Sequence, residues 1–100
     1  MKFEQLEIDQ EIIDKTIKQG FTDLTQIQEK CIPEIIKSKD VVGQAETGSG
    51  KTIAFCIPIL TKIKKNQGIQ SLILTPTREL CVQVSDVFDT FGQKIGIIWG

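Results

Sequence analysis

Eight residues, Ala45-Glu46-Thr47-Gly48-Ser49-Gly50-Lys51-Thr52, combine small, glycine, lysine and hydroxyl types at the spacing of a loop that cradles phosphate. Gly48 and Gly50 let the backbone wrap so that successive amide hydrogens face an anion. The helix expected to start near Gly50 adds free N–H groups and the positive end of its dipole. Lys51 neutralises the outer phosphates of a nucleotide, and the Thr52 hydroxyl ligates the Mg²⁺ that travels with them. These two residues are the candidate catalytic pair, and Thr52 is the candidate metal ligand. The general pattern carries glycine where Ala45 stands; a small side chain still allows the loop to close. The competing reading is a glycine-rich turn with a surface lysine, and the flanking elements weigh against it.

Those elements have to hold the loop between a strand and a helix. Asp40-Val41-Val42-Gly43 reads as the end of a buried strand, and Thr52 to Lys62 as an apolar helix. Upstream, Asp9 to Lys18 places Ile12, Ile13 and Ile17 on one helical face, with Gly20 ending the run. Thr25 followed by Gln28 is a capping box opening a second helix, with Ile27, Cys31, Ile32, Ile35 and Ile36 as its stripe. Pro33 is expected to bend that helix or divide it. Downstream, Lys62 to Lys65 is a solvated run leading to the turn Asn66-Gln67-Gly68. Ser71 to Thr75 reads as a second, almost wholly apolar strand. From Glu79, residues Leu80, Val84, Val87, Phe88 and Phe91 recur at helical spacing; Gly92 stops them, and Ile95 to Trp99 reads as a third strand. The expected class is therefore α/β, a parallel sheet flanked by helices. Three strands do not complete such a sheet, so the chain is expected to be the beginning of a longer protein.

Two further segments carry chemistry. Phe21 offers a stacking face for a base, worth about 1–3 kcal/mol. Gln28, whose amide both donates and accepts, matches the donor and acceptor that adenine shows at N6 and N7. Equally, Phe21 fits a core position, and Gln28 fits the cap alone. Pro76-Thr77-Arg78-Glu79-Leu80 follows the second strand, where ligands bind in open parallel sheets. Arg78, near a helix N-terminus, is placed to grip a phosphate; a surface pair with Glu79 or Asp86 is the other reading.

Composition bounds the rest. With 100 residues, 40 % hydrophobic, and a net charge of −1 from 12 basic and 13 acidic side chains, the chain reads as one small globular domain. The balance does not advertise a nucleic-acid surface, though a local patch suffices for one. Cys31, Cys56 and Cys81 are widely spaced and histidine is absent, which argues against a disulfide framework or a zinc site. No signal peptide or membrane-spanning run is visible, so a cytoplasmic or nuclear location is expected. Eleven lysines accompany the single arginine, Arg78.

Taken in order, Gly20 to Gln28, Ala45 to Thr52 and Pro76 to Leu80 resemble the Q motif, motif I and motif Ia of the DEAD-box ATP-dependent RNA helicases. Phe3, seventeen residues before Gly20, resembles the isolated aromatic found upstream in that family. Cys31-Ile32-Pro33 and Gly50 to Phe55 resemble its ribosome-assembly branch. The resemblance implies a partial RecA-like P-loop NTPase domain over residues 1–100, with ATP and Mg²⁺ as cofactors and RNA as partner. It implies that Phe21 stacks on adenine, with Thr25 and Gln28 in the base loop. Residues Ala45, Glu46, Thr47, Gly48, Ser49, Gly50, Lys51 and Thr52 would hold the phosphates and metal, and Pro76, Thr77 and Arg78 the RNA backbone. Leu24-Thr25-Gln26-Ile27-Gln28 lacks the family's prolines and keeps its threonine and glutamine. The Asp-Glu-Ala-Asp segment and the second RecA-like domain are absent from the 100 residues, so no ATPase activity is expected from them alone; the full-length protein is expected to be a monomer. A small GTPase, a phosphotransferase, or a non-functional truncated product are the alternatives.

Overall fold

A computed structural model describes residues 1–46, 48, 50–64 and 67–92. A 3-10 turn at Phe3–Gln5 precedes four helices: α1 (Gln10–Lys18), α2 (Gln26–Ile36), α3 (Lys51–Lys62) and α4 (Arg78–Gly92). The helix ends agree closely with the periodicity of the sequence.

α3 sits in the middle. Its Ile53, Ala54, Cys56, Ile57, Pro58 and Leu60 are all buried, as expected of a helix that is apolar on nearly every side. Phe3, Ile12 and Ile32 close on it from the N-terminal half, and Val84, Phe88 and Phe91 of α4 from the other. The Phe55 and Phe88 rings meet with centroids 6.4 Å apart and planes tilted by 40°, a favourable aromatic arrangement. Lys15 of α1 donates to the Phe91 carbonyl at the end of α4, placing a cation where that helix dipole is negative.

α1 corrects one expectation. Its buried face is Ile12, Ile13 and Thr16, whereas Ile17 is 39 % exposed. Thr16 is buried without cost because its hydroxyl donates to the Ile12 carbonyl at 2.8 Å. Beyond it Gly20, at φ 92°, lets the Gly20 and Phe21 amides bond back to Ile17 and Thr16, a Schellman end. α2 decides another: it is not divided at Pro33 but runs unbroken through it. The proline removes one backbone bond near the last turn, and the burial of Cys31 and Ile32 holds the helix together.

The sheet is where sequence and structure part. Among the described residues no strand forms, and the one β-bridge is antiparallel, Lys2 with Asp23. Residues 40–43 and 71–75 run without ladder partners, leaving Val42, Leu72 and Leu74 in solvent while Ile73 packs on the core. An apolar run specifies burial; whether it becomes a strand depends on a neighbour to complete its hydrogen bonds. The third expected strand, 95–99, lies outside the described residues.

Candidate nucleotide site

Backbone torsions at the loop are those that its glycines permit. Gly48 has φ 84° and Gly50 φ 87°, both in the left-handed region. Gly50 is the N-cap of α3 and provides no side-chain cap, and no acidic residue occupies the first turn. Neither of these supplies an acceptor to the first amides of α3, the arrangement that suits an anion. Lys51 opens the helix, is exposed, and has no ion-pair partner among the described residues; Thr52 beside it is half-buried. Ala45 is half-buried and Glu46 exposed. Thr47 and Ser49 lie outside the described residues.

The base-side candidates reach the same loop. Thr25 caps α2 by accepting from the Gln28 amide, and Gln28 Oε1 accepts from the Thr25 N–H at 2.9 Å, so the capping box is formed. The other end of the Gln28 amide then donates from Nε2 to the Gly50 carbonyl at 3.2 Å. That carbonyl also accepts from the Ala54 amide at 3.1 Å, inside α3. One glutamine thus joins the start of α2 to the start of α3. A Cβ on Gly50 would overlap Gln28 Nε2 and stand 3.1 Å from Thr25 Oγ1, so the contact requires glycine there.

Gln28 is 1 % exposed, with one donor and one acceptor position left on its amide. Phe21 is not core: it is 41 % exposed, on the loop after the Schellman end of α1. That loop is held by the N-terminal segment, with Phe3 N–H donating to the Thr22 carbonyl at 3.0 Å and Leu24 N–H to Met1 at 2.9 Å.

Pro76, Thr77 and Arg78 stand apart from this network and are exposed. Thr77 caps α4 by accepting from the Leu80 amide at 3.1 Å. Arg78 is the first residue of α4 and pairs with neither Glu79 nor Asp86. Among the described residues its guanidinium has no ion-pair partner.

Sequence reasoning missed Gly43. A Cβ there would stand 3.2 Å from both Cys31 Sγ and Ile27 Cδ1, where the segment entering the loop crosses α2. Beside the crossing opens a cavity of about 270 Å³, lined by Ile27, Cys31, Val41, Gly43, Lys51 and Ala54 among others. The sequence signal was one glycine at the end of an apolar run, which has no specificity by itself.

Comparison with known proteins identifies a family. A family model described as DEAD/DEAH box helicase matches residues 25–100. The DEAD-box ATP-dependent RNA helicase CshA of Geobacillus kaustophilus is 48 % identical over 97 residues, covering 96 % of this chain and 20 % of that protein. Among solved structures, a DEAD box protein from the hyperthermophile Methanococcus jannaschii superposes with a TM-score of 0.88 at 41 % identity, over 91 % of this chain and 25 % of that one. The RNA helicase Prp28 from Chaetomium thermophilum, solved with ADP, superposes with a TM-score of 0.80 at 35 % identity, over 93 % and 25 %. The chain spans about a fifth of the length of the curated relatives that it matches.

Proposed function

The chain belongs to the DEAD/DEAH box helicase family, and we propose that it forms the ATP-Mg²⁺ binding part of an ATP-dependent RNA helicase. The observation that carries this reading is the hydrogen bond from Gln28 to Gly50, which joins a base-side element to a loop whose glycines have the torsions of a phosphate cradle and whose Gly50 gives α3 no side-chain cap. The residues fit the cofactor: the amino end of α3 lacks a side-chain cap, and Lys51 lacks a counter-ion among the described residues.

In this proposal the backbone of 45–50 wraps the phosphates, Lys51 neutralises their outer charge, and the Thr52 hydroxyl orients Mg²⁺. Phe21 stacks on the base from its exposed position. The remaining donor and acceptor of Gln28 select adenine over guanine once the base loop opens to admit it. Bound ATP supplies the phosphoanhydride whose hydrolysis powers duplex opening in the whole protein. Arg78, with Pro76 and Thr77, holds an RNA sugar-phosphate backbone without reading its sequence. We further propose that 40–43 and 71–75 become strands of a parallel RecA-like sheet when neighbours pair with them. A cytoplasmic or nuclear setting suits its three unpaired cysteines.

The test is ATP binding with Mg²⁺ by the chain, by Lys51→Ala and by Gln28→Ala, with GTP as competitor. Binding lost in Lys51→Ala, and weakened with loss of preference over GTP in Gln28→Ala, is expected. Guanine preference in the unmodified chain would point to a GTPase and refute the adenine assignment.

A further inference from the structure

The first turns of α2 meet the nucleotide loop at two places, and both are glycines. Thr25 and Gln28 face Gly50, seven residues after the point where Ile27 and Cys31 face Gly43. The two glycines are required for different reasons. Gly50 adopts a left-handed torsion, whereas Gly43 is not among the positive-φ residues, so its backbone suits any amino acid. Space alone makes the demand at Gly43: both neighbours lie 3.2 Å from an added Cβ, closer than ordinary van der Waals contact. The backbone of Gly43 is open to solvent elsewhere, so only the side toward α2 is restricted.

We infer that Gly43 is a positioning residue for base selectivity. By carrying no side chain it lets Ile27 and Cys31 close on the segment entering the loop, and this sets α2 at the separation from which the Gln28 amide reaches the Gly50 carbonyl. The inference deepens the ATP-binding proposal and rests on it. A side chain at Gly43 presses on α2 at Ile27 and Cys31, which flank Gln28, so it moves the glutamine before it moves the phosphate-holding amides at the head of α3. The adjoining cavity decides how much each substitution does. Ile27 Cδ1 is the end of its side chain and can swing into that space by changing χ2 alone, whereas Cys31 Sγ can move only by a change of χ1. Alanine is then a mild perturbation and valine a severe one, with Cys31 as the obstacle.

The experiment uses the full chain, with Gly43→Ala, Gly43→Val and the double variant Gly43→Val/Cys31→Ala. Affinities for ATP, GTP and inorganic tripolyphosphate are measured with Mg²⁺, alongside melting curves. Gly43→Val is expected to lower ATP affinity by about tenfold, the scale of one lost hydrogen bond. Its preference for ATP over GTP should fall toward parity, while tripolyphosphate, which needs no base contact, should stay within about twofold. Removing the Cys31 sulfur in the double variant should restore most of the preference. If Gly43→Val does not fold, Gly43→Ala must show a smaller loss of preference of the same sign. An unmoved ATP:GTP ratio in a folded variant overturns the inference, as does an equal fall for ATP and tripolyphosphate. Absence of nucleotide binding by the unmodified chain overturns the ATP reading itself, and this inference with it.

Discussion

Replacing Gly50 by alanine separates two costs that the structure places at one residue. The first is conformational: at φ 87° a residue with a Cβ is strained, by about 1–2 kcal/mol. The second is steric. The new methyl overlaps Gln28 Nε2, so the glutamine must leave and its 3.2 Å bond to the Gly50 carbonyl is lost, for about 0.5–1.5 kcal/mol. Together they predict a loss of about 2–3 kcal/mol, which in a domain of this size lowers the melting temperature by roughly 10–20 °C. Gly20 provides the internal control. Its φ of 92° carries the same torsional cost, but nothing lies within 4 Å of an added Cβ, so Gly20→Ala should cost only the first part. A double-mutant cycle isolates the second. With Gln28 already alanine, Gly50→Ala should cost about 1 kcal/mol less than in the unmodified chain, measured by urea titration. Strict additivity, or a Gly50→Ala cost no larger than that of Gly20→Ala, would refute the Gln28–Gly50 contact.

Two further predictions concern ionisation. Burial pushes the Cys56 thiol from 9.0 up to about 12. Above pH 9 the unfolded chain releases this proton while the folded chain retains it, so stability should be full below pH 9 and fall as the pH rises toward 12. Cys56→Ala should flatten that decline, and Cys56 should be alkylated more slowly than exposed Cys81 in the native chain; equal rates would contradict its burial. Gln28→Glu should preserve the cap, because a carboxylate still accepts from Thr25 N–H, but it sets a second acceptor against the Gly50 carbonyl. Burial favours the neutral acid, which can donate to that carbonyl, so this variant should be more stable in mild acid than at neutral pH. A pH-independent stability difference from the unmodified chain would show that the side chain has left the site.

The helices were legible because their signals are local. The Thr25–Gln28 box works over three residues, and the stripe of α4 repeats every turn, so both can be read from a short window of sequence. Glycine torsions at 48 and 50 followed from the loop pattern in the same way. What failed to be legible depends on partners. Ile17 was expected inside α1 and Thr16 was not, because hydrophobicity ranks isoleucine first, whereas the direction of the neighbouring elements chose threonine and its hydroxyl found a carbonyl. The apolar runs at 40–43 and 71–75 state what they would bury and not what they would pair with. Gly43 and the Gln28–Gly50 bond join residues from different elements, the latter 22 positions apart, and no periodicity encodes such a crossing.

The structure also dissolves an opposition that the sequence set up. Gln28 was either a capping residue or a reader of the base, and the two readings competed for one side chain. An amide has an oxygen with two acceptor sites and a nitrogen with two hydrogens. The cap takes one acceptor site and Gly50 takes one hydrogen, leaving one of each. The cap therefore does not compete with base recognition; it orients the group that would perform it. A free glutamine would spend side-chain entropy to hold one rotamer against a base, whereas a glutamine fixed at both ends has lost that freedom during folding. Holding the Gly50 carbonyl also ties the same side chain to the first turn of α3, where Lys51 and Thr52 begin.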